Sequence, residues 1–304
     1  MEKISWSQVQ IYNQCPFKWK LNYIDKIRPV SDSIYTIYGK ALHEVLQTYL
    51  TEMYNDSITT ADKLDLPNLL VDRVKFYYGD AVEARKGSHF STQGELTEFC
   101  MQGAKALDWF KKRRGQYFSK KNWELMGIEV PLNTEYNGVK VLGFIDVLLR
   151  NKQTGKFRLI DIKTSTRGWR YEKKDPMKRG QLLFYKKFIA EKYDVDISDI
   201  DVEFFIVKRL LWEKSDFPQK YIQKFEPPSA NVSINKTFKT VDVFIDDCFN
   251  KDGSYKVDQD FKKRGVLNKC KWCEFADKPD ICDKLYVERE DKWYRQLDSI
   301  QVIL

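Results

Sequence analysis

Two apolar runs near the middle of this chain each carry a single aspartate: Gly143-Phe144-Ile145-Asp146-Val147-Leu148 and Leu159-Ile160-Asp161-Ile162-Lys163-Thr164. A charge inside an apolar strand costs free energy unless it is paired or bound to a metal. Any fold open to this chain must therefore bring both carboxylates to partners. The runs read as strands over 139–150 and 157–163, with the turn between them at Lys152 to Lys156, around Gly155. A preceding strand over 123–136 joins them through Asn137-Gly138, a strong hairpin turn. Asp161 and Lys163 are two residues apart, so on a strand they face the same way. Antiparallel pairing would set Asp146 on the neighbouring strand. Two carboxylates and one ammonium would then converge.

Helices are predicted on both sides of this meander. Residues 5–24 show Val9, Tyr12, Cys15, Trp19 and Tyr23 at helical spacing behind a Ser5–Gln8 capping box, with Pro16 expected to kink or split the helix. Residues 36–54 place Ala41, Leu42, Val45, Leu46, Tyr49 and Leu50 on one side. Further helical patterns cover 66–86, 94–117, 177–193 and 235–250, and strand patterns cover 201–208 and, more weakly, 220–226. The last fifty residues are polar and cysteine-bearing, with a short amphipathic tail. This order implies an α/β or α+β core with helical flanks.

Composition narrows the class. The chain has 304 residues, 42% of them hydrophobic and 32% charged, which fits a folded globular protein rather than a disordered one. No apolar run reaches the ~18–20 residues of a membrane span. The start, Met1-Glu2-Lys3-Ile4-Ser5-Trp6, lacks a charged-then-apolar signal pattern. The expected location is the cytoplasm, without a membrane partner. The net charge of +8 is a weak signal, but its clustering says more. Lys111-Lys112-Arg113-Arg114 leads to Lys120-Lys121. Arg167, Arg170, Lys173, Lys174, Lys178 and Arg179 fall close together, and Lys262-Lys263-Arg264 leads to Lys269 and Lys271. Any one run alone reads equally well as a solvated face. Three runs interleaved with Tyr117, Trp169, Tyr171 and Trp272 lean toward nucleic acid, because cations neutralise phosphates and aromatic faces stack on bases.

The aspartates suit phosphodiester hydrolysis. Paired carboxylates hold hard cations such as Mg2+ or Mn2+. Such a metal polarises the phosphate and lowers the pKa of a bound water. A lysine can orient that water and stabilise developing charge. By themselves these residues fit a buried Asp–Lys ion pair with no chemistry as well. Nearby, Gly39-Lys40-Ala41-Leu42-His43 opens the second helix, and His43 is one of only two histidines. Gln181 and Tyr185 are four apart and share a helix face.

In order, Gly39-x-x-x-His43, Gly143-x-x-Asp146, Asp161-x-Lys163 and Gln181-x-x-x-Tyr185 resemble the RecB-like branch of the PD-(D/E)XK nuclease superfamily, over roughly residues 5–285. That branch includes exonuclease domains of bacterial recombination enzymes, CRISPR-adaptation nucleases and many phage exonucleases. The resemblance implies an α/β fold: a restriction-endonuclease-like core of a mixed central sheet flanked by helices. It implies one integrated domain, with a helical region over 1–120, the nuclease core over 121–250 and a cysteine-bearing segment and tail over 251–304. It implies that His43, Asp146, Asp161 and the Ile162 backbone carbonyl ligate the metals. Lys163 would be the catalytic lysine, and Gln181 and Tyr185 would position DNA or support that lysine. Asp161 stands where the wider superfamily often has glutamate. Glu129, in Gly127-Ile128-Glu129-Val130, matches an acidic strand residue often seen before the Gly-x-x-Asp motif.

Six cysteines, at 15, 100, 248, 270, 273 and 282, are too few and too scattered for a disulfide scaffold. Cys270-x-x-Cys273 and Cys282 supply three metal ligands, one short of a closed tetrahedral site. Several RecB-like nucleases are similar in carrying one cysteine ahead of the histidine motif and three near the C-terminus. The resemblance therefore implies that Cys15, Cys270, Cys273 and Cys282 hold a 4Fe-4S cluster. The gap from Cys273 to Cys282 is longer than the commonest version. On chemistry alone four thiolates suit a structural Zn2+ equally, and unliganded thiols are a third reading. Cys100 and Cys248 are expected to be buried apolar residues.

The function expected is a metal-dependent exonuclease acting on DNA ends, with preference for single strands. No Gly-x-x-x-x-Gly-Lys-[Ser/Thr] phosphate loop is present. Unwinding would have to come from a separate helicase or recombination protein. A nucleic-acid-binding scaffold with a degenerate nuclease fold and an endonuclease are the competing readings. The intact Asp161-x-Lys163 argues against the first, and the helical N-terminal region and flanking cysteines fit the second poorly.

Overall fold

A computed structural model describes residues 2–28, 32–265, 270–276 and 278–282. The expected amphipathic tail and Lys269 lie outside the described residues. The chain opens with a short strand β1 (Lys3–Ile4) and α1 (Trp6–Gln14), then α2 (Pro16–Tyr23). The helical stretch over 5–24 is split at Pro16, as its ring leads one to expect. Cys15, extended at φ −162° and ψ 114°, ends α1 and caps α2. The cause is Pro16, whose ring disfavours helical backbone in the residue before it but suits the first turn of a new helix. Ser5 caps α1 by accepting from Gln8 N, but the Gln8 side-chain amide donates to the Lys3 carbonyl at 2.6 Å, so only half of the predicted box forms.

Four helices follow: α3 (Ile34–Asn55), α4 (Ile58–Lys63), α5 (Leu66–Ala84) and α6 (Gln93–Arg113). Ser33 with Thr36, and Thr92 with Glu95, form full capping boxes at the starts of α3 and α6. The sequence reading missed α4, which at six residues is too short to show a period. The strands are β2 (Trp123–Pro131), β3 (Thr134–Tyr136), β4 (Val139–Val141), β5 (Phe144–Asn151) and β6 (Phe157–Ser165). Next come α7 (Pro176–Tyr193), β7 (Ile200–Lys208), β8 (Ile222–Phe225) and α8 (Asn231–Cys248).

The long hairpin expected around Asn137-Gly138 is cut in two. Only β3 and β4 pair across that turn, and β1 joins β4 in parallel to make a three-stranded sheet. β2 and β5 continue instead into a five-stranded sheet of order β2-β5-β6-β7-β8. Within it β6 and β7 run parallel and the other pairs antiparallel, so the central sheet is mixed. The β6–α7–β7 segment is the helical crossover that a parallel pair requires.

Helices cover both faces. On one, α1, α2, α7 and α8 pack on Leu159, Phe204 and Ile206. On the other, α3 to α6 pack on Ile160, Ile162, Phe205 and Val207. The alternation along β6 and β7 serves both layers, which explains why these strands read as nearly continuous apolar runs. Phe204, Phe205, Ile160 and Ile162 are each at most 1% exposed, so a polar residue among them stands out.

Candidate active site

β5 and β6 pair from Arg150↔Phe157 to Val147↔Ile160, and the ladder stops there. The next residue toward the start of β5 is Asp146. Its carboxylate takes the place of the missing rung: Oδ2 accepts from the Ile162 backbone N–H at 2.6 Å. Two residues on along β6, Asp161 and Lys163 share one face, as their spacing predicts. They sit opposite Phe204 and Ile206 of β7. Asp161 is 1% exposed, and its Oδ2 lies 2.8 Å from Lys163 Nζ. That contact is an ion pair without hydrogen-bond alignment, and Asp161 Oδ2 accepts no hydrogen bond.

α3 brings a second set of groups. His43 Nδ1 stands 3.6 Å from Asp146 Oδ2, beyond a good hydrogen bond. One turn later, Gln47 donates to Glu129 Oε1 at 2.6 Å and to the Asp146 carbonyl at 3.5 Å. Gln47 was missed in the sequence. Its signal was a polar residue four after His43, on the side of α3 that otherwise carries apolar residues. Glu129 lies on β2 with φ 48°, left-handed backbone that non-glycine residues rarely adopt. Its pairing neighbours are Ile128↔Val147 and Val130↔Ile145, which places Glu129 alongside Asp146.

The electrostatics describe a centre short of positive charge. Burial, and then the neighbouring Asp161, push the Asp146 carboxyl well above its ordinary range. Burial also raises Asp161, against the pull of Lys163. Burial would lower Lys163, but Asp161 and Asp146 outweigh it and keep the ammonium protonated. Burial and the Lys163 charge press His43 down to about 4, so its imidazole is neutral at physiological pH with a lone pair to offer. Three carboxylates thus face one ammonium and a neutral ring. A hard divalent cation matches this oxygen-rich donor set. As placed, no three His, Cys, Asp or Glu side chains among the described residues form a ready metal-holding group. The fit rests on the excess of carboxylates over cations among the described residues and on the buried Asp161, whose Oδ2 has the Lys163 ammonium as its partner.

On the α7 side, Gln181 Nε2 donates to Tyr185 Oη at 3.2 Å. Burial raises the Tyr185 phenol, with the fields of Asp161 and Asp146 adding to it. A Cβ on Gly143 would come within 2.9 Å of the Tyr185 ring. The glycine of Gly-x-x-Asp is therefore the gap that admits Tyr185 beside Asp146. Gly39 has a related place, since a Cβ there would lie 3.2 Å from Thr164 Oγ1 on β6. His43, Asp146, Asp161, Lys163, Gln181 and Tyr185 are thus gathered, and the Ile162 backbone N–H bonds Asp146.

The cysteines gather at a second place. Cys15, Cys270, Cys273 and Cys282 line one small cavity beside the break between α1 and α2. Lys18, Lys263 and Arg264 line it too, with Lys18 paired to Glu274 at 2.6 Å. Burial raises the Cys273 thiol. Cys248 is fully buried as expected, whereas Cys100 is only partly so.

The basic runs divide. The first is absorbed by structure: Arg114 pairs with Asp62 at 2.8 Å, Lys111 donates to the Leu64 carbonyl and Arg113 lies over Trp109. Two aromatics expected to meet bases are buried, Tyr117 at 7% and Trp169 at 8% exposed. Both fill gaps over β7, against Phe205 and Phe204 respectively. Tyr171 and Trp272 are exposed. Among the described residues no helix is long and apolar enough to cross a membrane.

The family model of the PD-(D/E)XK nuclease superfamily matches residues 3–282, a span that takes in both centres. No curated protein matches the sequence.

Proposed function

The chain belongs to the PD-(D/E)XK nuclease superfamily, and from that premise we propose that it is a RecB-like exonuclease that degrades DNA from its ends, preferring single strands and using Mg2+ or Mn2+. The observation that carries the reading is the pair of buried carboxylates at the parting of β5 and β6, with Lys163 as their cation among the described residues. His43, Asp146, Asp161 and the Ile162 carbonyl would hold the metal. When bound, it supplies Lewis-acid polarisation of the phosphate and acidifies water. Lys163, held charged by its two aspartates, stabilises negative charge developing on the phosphate oxygens. Gln47 keeps Glu129 turned toward the same spot. Tyr185 and Gln181 form the wall opposite α3 and orient the backbone of the strand being cut.

Cys15, Cys270, Cys273 and Cys282 would hold a 4Fe-4S cluster with a structural role. Their common cavity supports this. Protein purified without oxygen is then brown, and a colourless protein with stoichiometric zinc would replace the cluster by Zn2+. Unwinding of duplex ends falls to a separate helicase or recombination protein.

The test is cleavage of end-labelled oligonucleotides in Mg2+ or Mn2+ by the wild type, Asp161→Ala and Lys163→Ala. Loss of cleavage in both variants, with mononucleotides or short fragments released from ends, is expected. Cleavage that survives both substitutions would sink the site. Cutting of closed circular single strands would make the enzyme an endonuclease, and binding without cleavage would make it a scaffold.

A further inference from the structure

Two tryptophans follow the central strands, and each has its backbone clamped by a glutamine. Gln223 accepts from Trp169 N at 2.7 Å and donates to Trp169 O at 3.0 Å. Gln219 accepts from Trp212 N at 2.8 Å and donates to Trp212 O at 2.9 Å. The clamp on Trp169 serves packing, since that ring is buried on Phe204. The clamp on Trp212 closes the loop after β7 and leaves that side chain 60% exposed. A ring on a pinned backbone loses little freedom when it stacks on a ligand, so this one is suited to binding.

Position and charge say what it binds. The parallel pairing of β6 and β7 continues past both strands, through Arg209 N to Ser165 O and Leu210 N to Thr166 O. Trp212 therefore stands just beyond the end of β6 that carries Lys163. Arg167 lies over its ring, with the guanidinium carbon 4.3 Å from the centroid. Arg167 is four residues from Lys163, at most about 14 Å along the chain. Arg170 lies over Tyr171, itself 72% exposed, on the same stretch. Exposed aromatic faces beside guanidinium groups match bases and phosphates of an unpaired strand.

We propose that Trp212, backed by Arg167, is a base-stacking platform for single-stranded DNA on the side of the site where β6 and β7 end. The inference rests on the nuclease reading and deepens it, because a duplex keeps its base faces stacked internally and gains nothing from the platform.

The experiment measures DNA binding in the Asp161→Ala background and cleavage in the active one. Adding Trp212→Ala should raise the Kd for oligothymidylate about tenfold, and Trp212→Phe should restore most of the loss. The Kd for a blunt duplex should stay within twofold. In the active enzyme, Trp212→Ala should slow digestion of long single strands while a small chromogenic phosphodiester is hydrolysed at the wild-type rate. Arg167→Ala should weaken oligothymidylate binding about threefold, so the platform remains testable if Trp212→Ala folds poorly. Equal single-strand binding by parent, Trp212→Ala and Arg167→Ala would overturn the platform and leave the nuclease standing. Absence of DNA binding and of cleavage in the parent itself would overturn the nuclease reading, and the platform with it.

Discussion

The carboxylate centre and the cysteine cavity are both assembled from residues far apart in the chain, but opposite forces hold them. At the parting of β5 and β6 the sheet imposes the geometry. Asp146 is tied by Ile162 N–H, and Asp161 stays buried although its burial is unfavourable. The scaffold there stabilises the groups. At the cavity, Cys15 sits on a helix break and its three companions come from a segment with little regular structure. A metal bound there would stabilise the scaffold. The first place spends stability on chemistry, and the second is proposed to supply stability without chemistry.

The sharpest way to break this contrast is to substitute one residue in each centre. Asp161→Asn should reduce cleavage about a thousandfold. Measured without metal by calorimetry, its Tm should stay near the wild-type value, because Asp146 remains to balance Lys163 while one of two crowded carboxylates is gone. A lowered Tm would show that Asp161 supports the fold. Cys273→Ser should do the reverse. Its Tm should fall by on the order of 10 °C, with cleavage per folded molecule retained at low temperature. An unchanged Tm would leave the four cysteines as unliganded thiols.

The glycines give a finer comparison. Gly143→Ala pushes on the Tyr185 ring beside Asp146 and should lower kcat roughly tenfold or more with a modest loss of stability. Gly180→Ala drives a Cβ into the Trp6 ring and should cost about 1–3 kcal/mol in urea unfolding, with a smaller loss of kcat than Gly143→Ala. Equal effects of the two on kcat would remove the special place given to Gly143.

The smallest effect concerns a carboxylate that does have partners. Burial would raise Asp62, but hydrogen bonds from Tyr49 and Arg114 outweigh it and hold it below the usual range. Its stabilisation is therefore present above the unfolded-state value and fades as pH falls through the depressed folded one. Asp62→Asn should lower neutral-pH stability by less than about 1 kcal/mol and flatten the acid limb of the unfolding curve. A steeper acid limb would contradict the pairing.

Much of this was legible beforehand for a local reason. Asp161 and Lys163 share a face because a strand alternates, and Pro16 breaks a helix because of its own ring. Gln47 was not legible, since its role depends on Glu129, 82 residues later. The split of the long hairpin was also hidden. Local turn chemistry at Asn137-Gly138 predicts pairing but not where β2 and β5 leave it for another sheet. Trp169 and Trp212 differ by the same kind of fact, because exposure depends on what packs above a ring.

The sequence by itself determined that two carboxylates and an ammonium had to meet among apolar strands, because the desolvation cost allows no scattered placement. Only the tertiary structure decided that they meet where β5 parts from β6. There the ladder of hydrogen bonds runs out, and a side-chain oxygen takes the backbone's place.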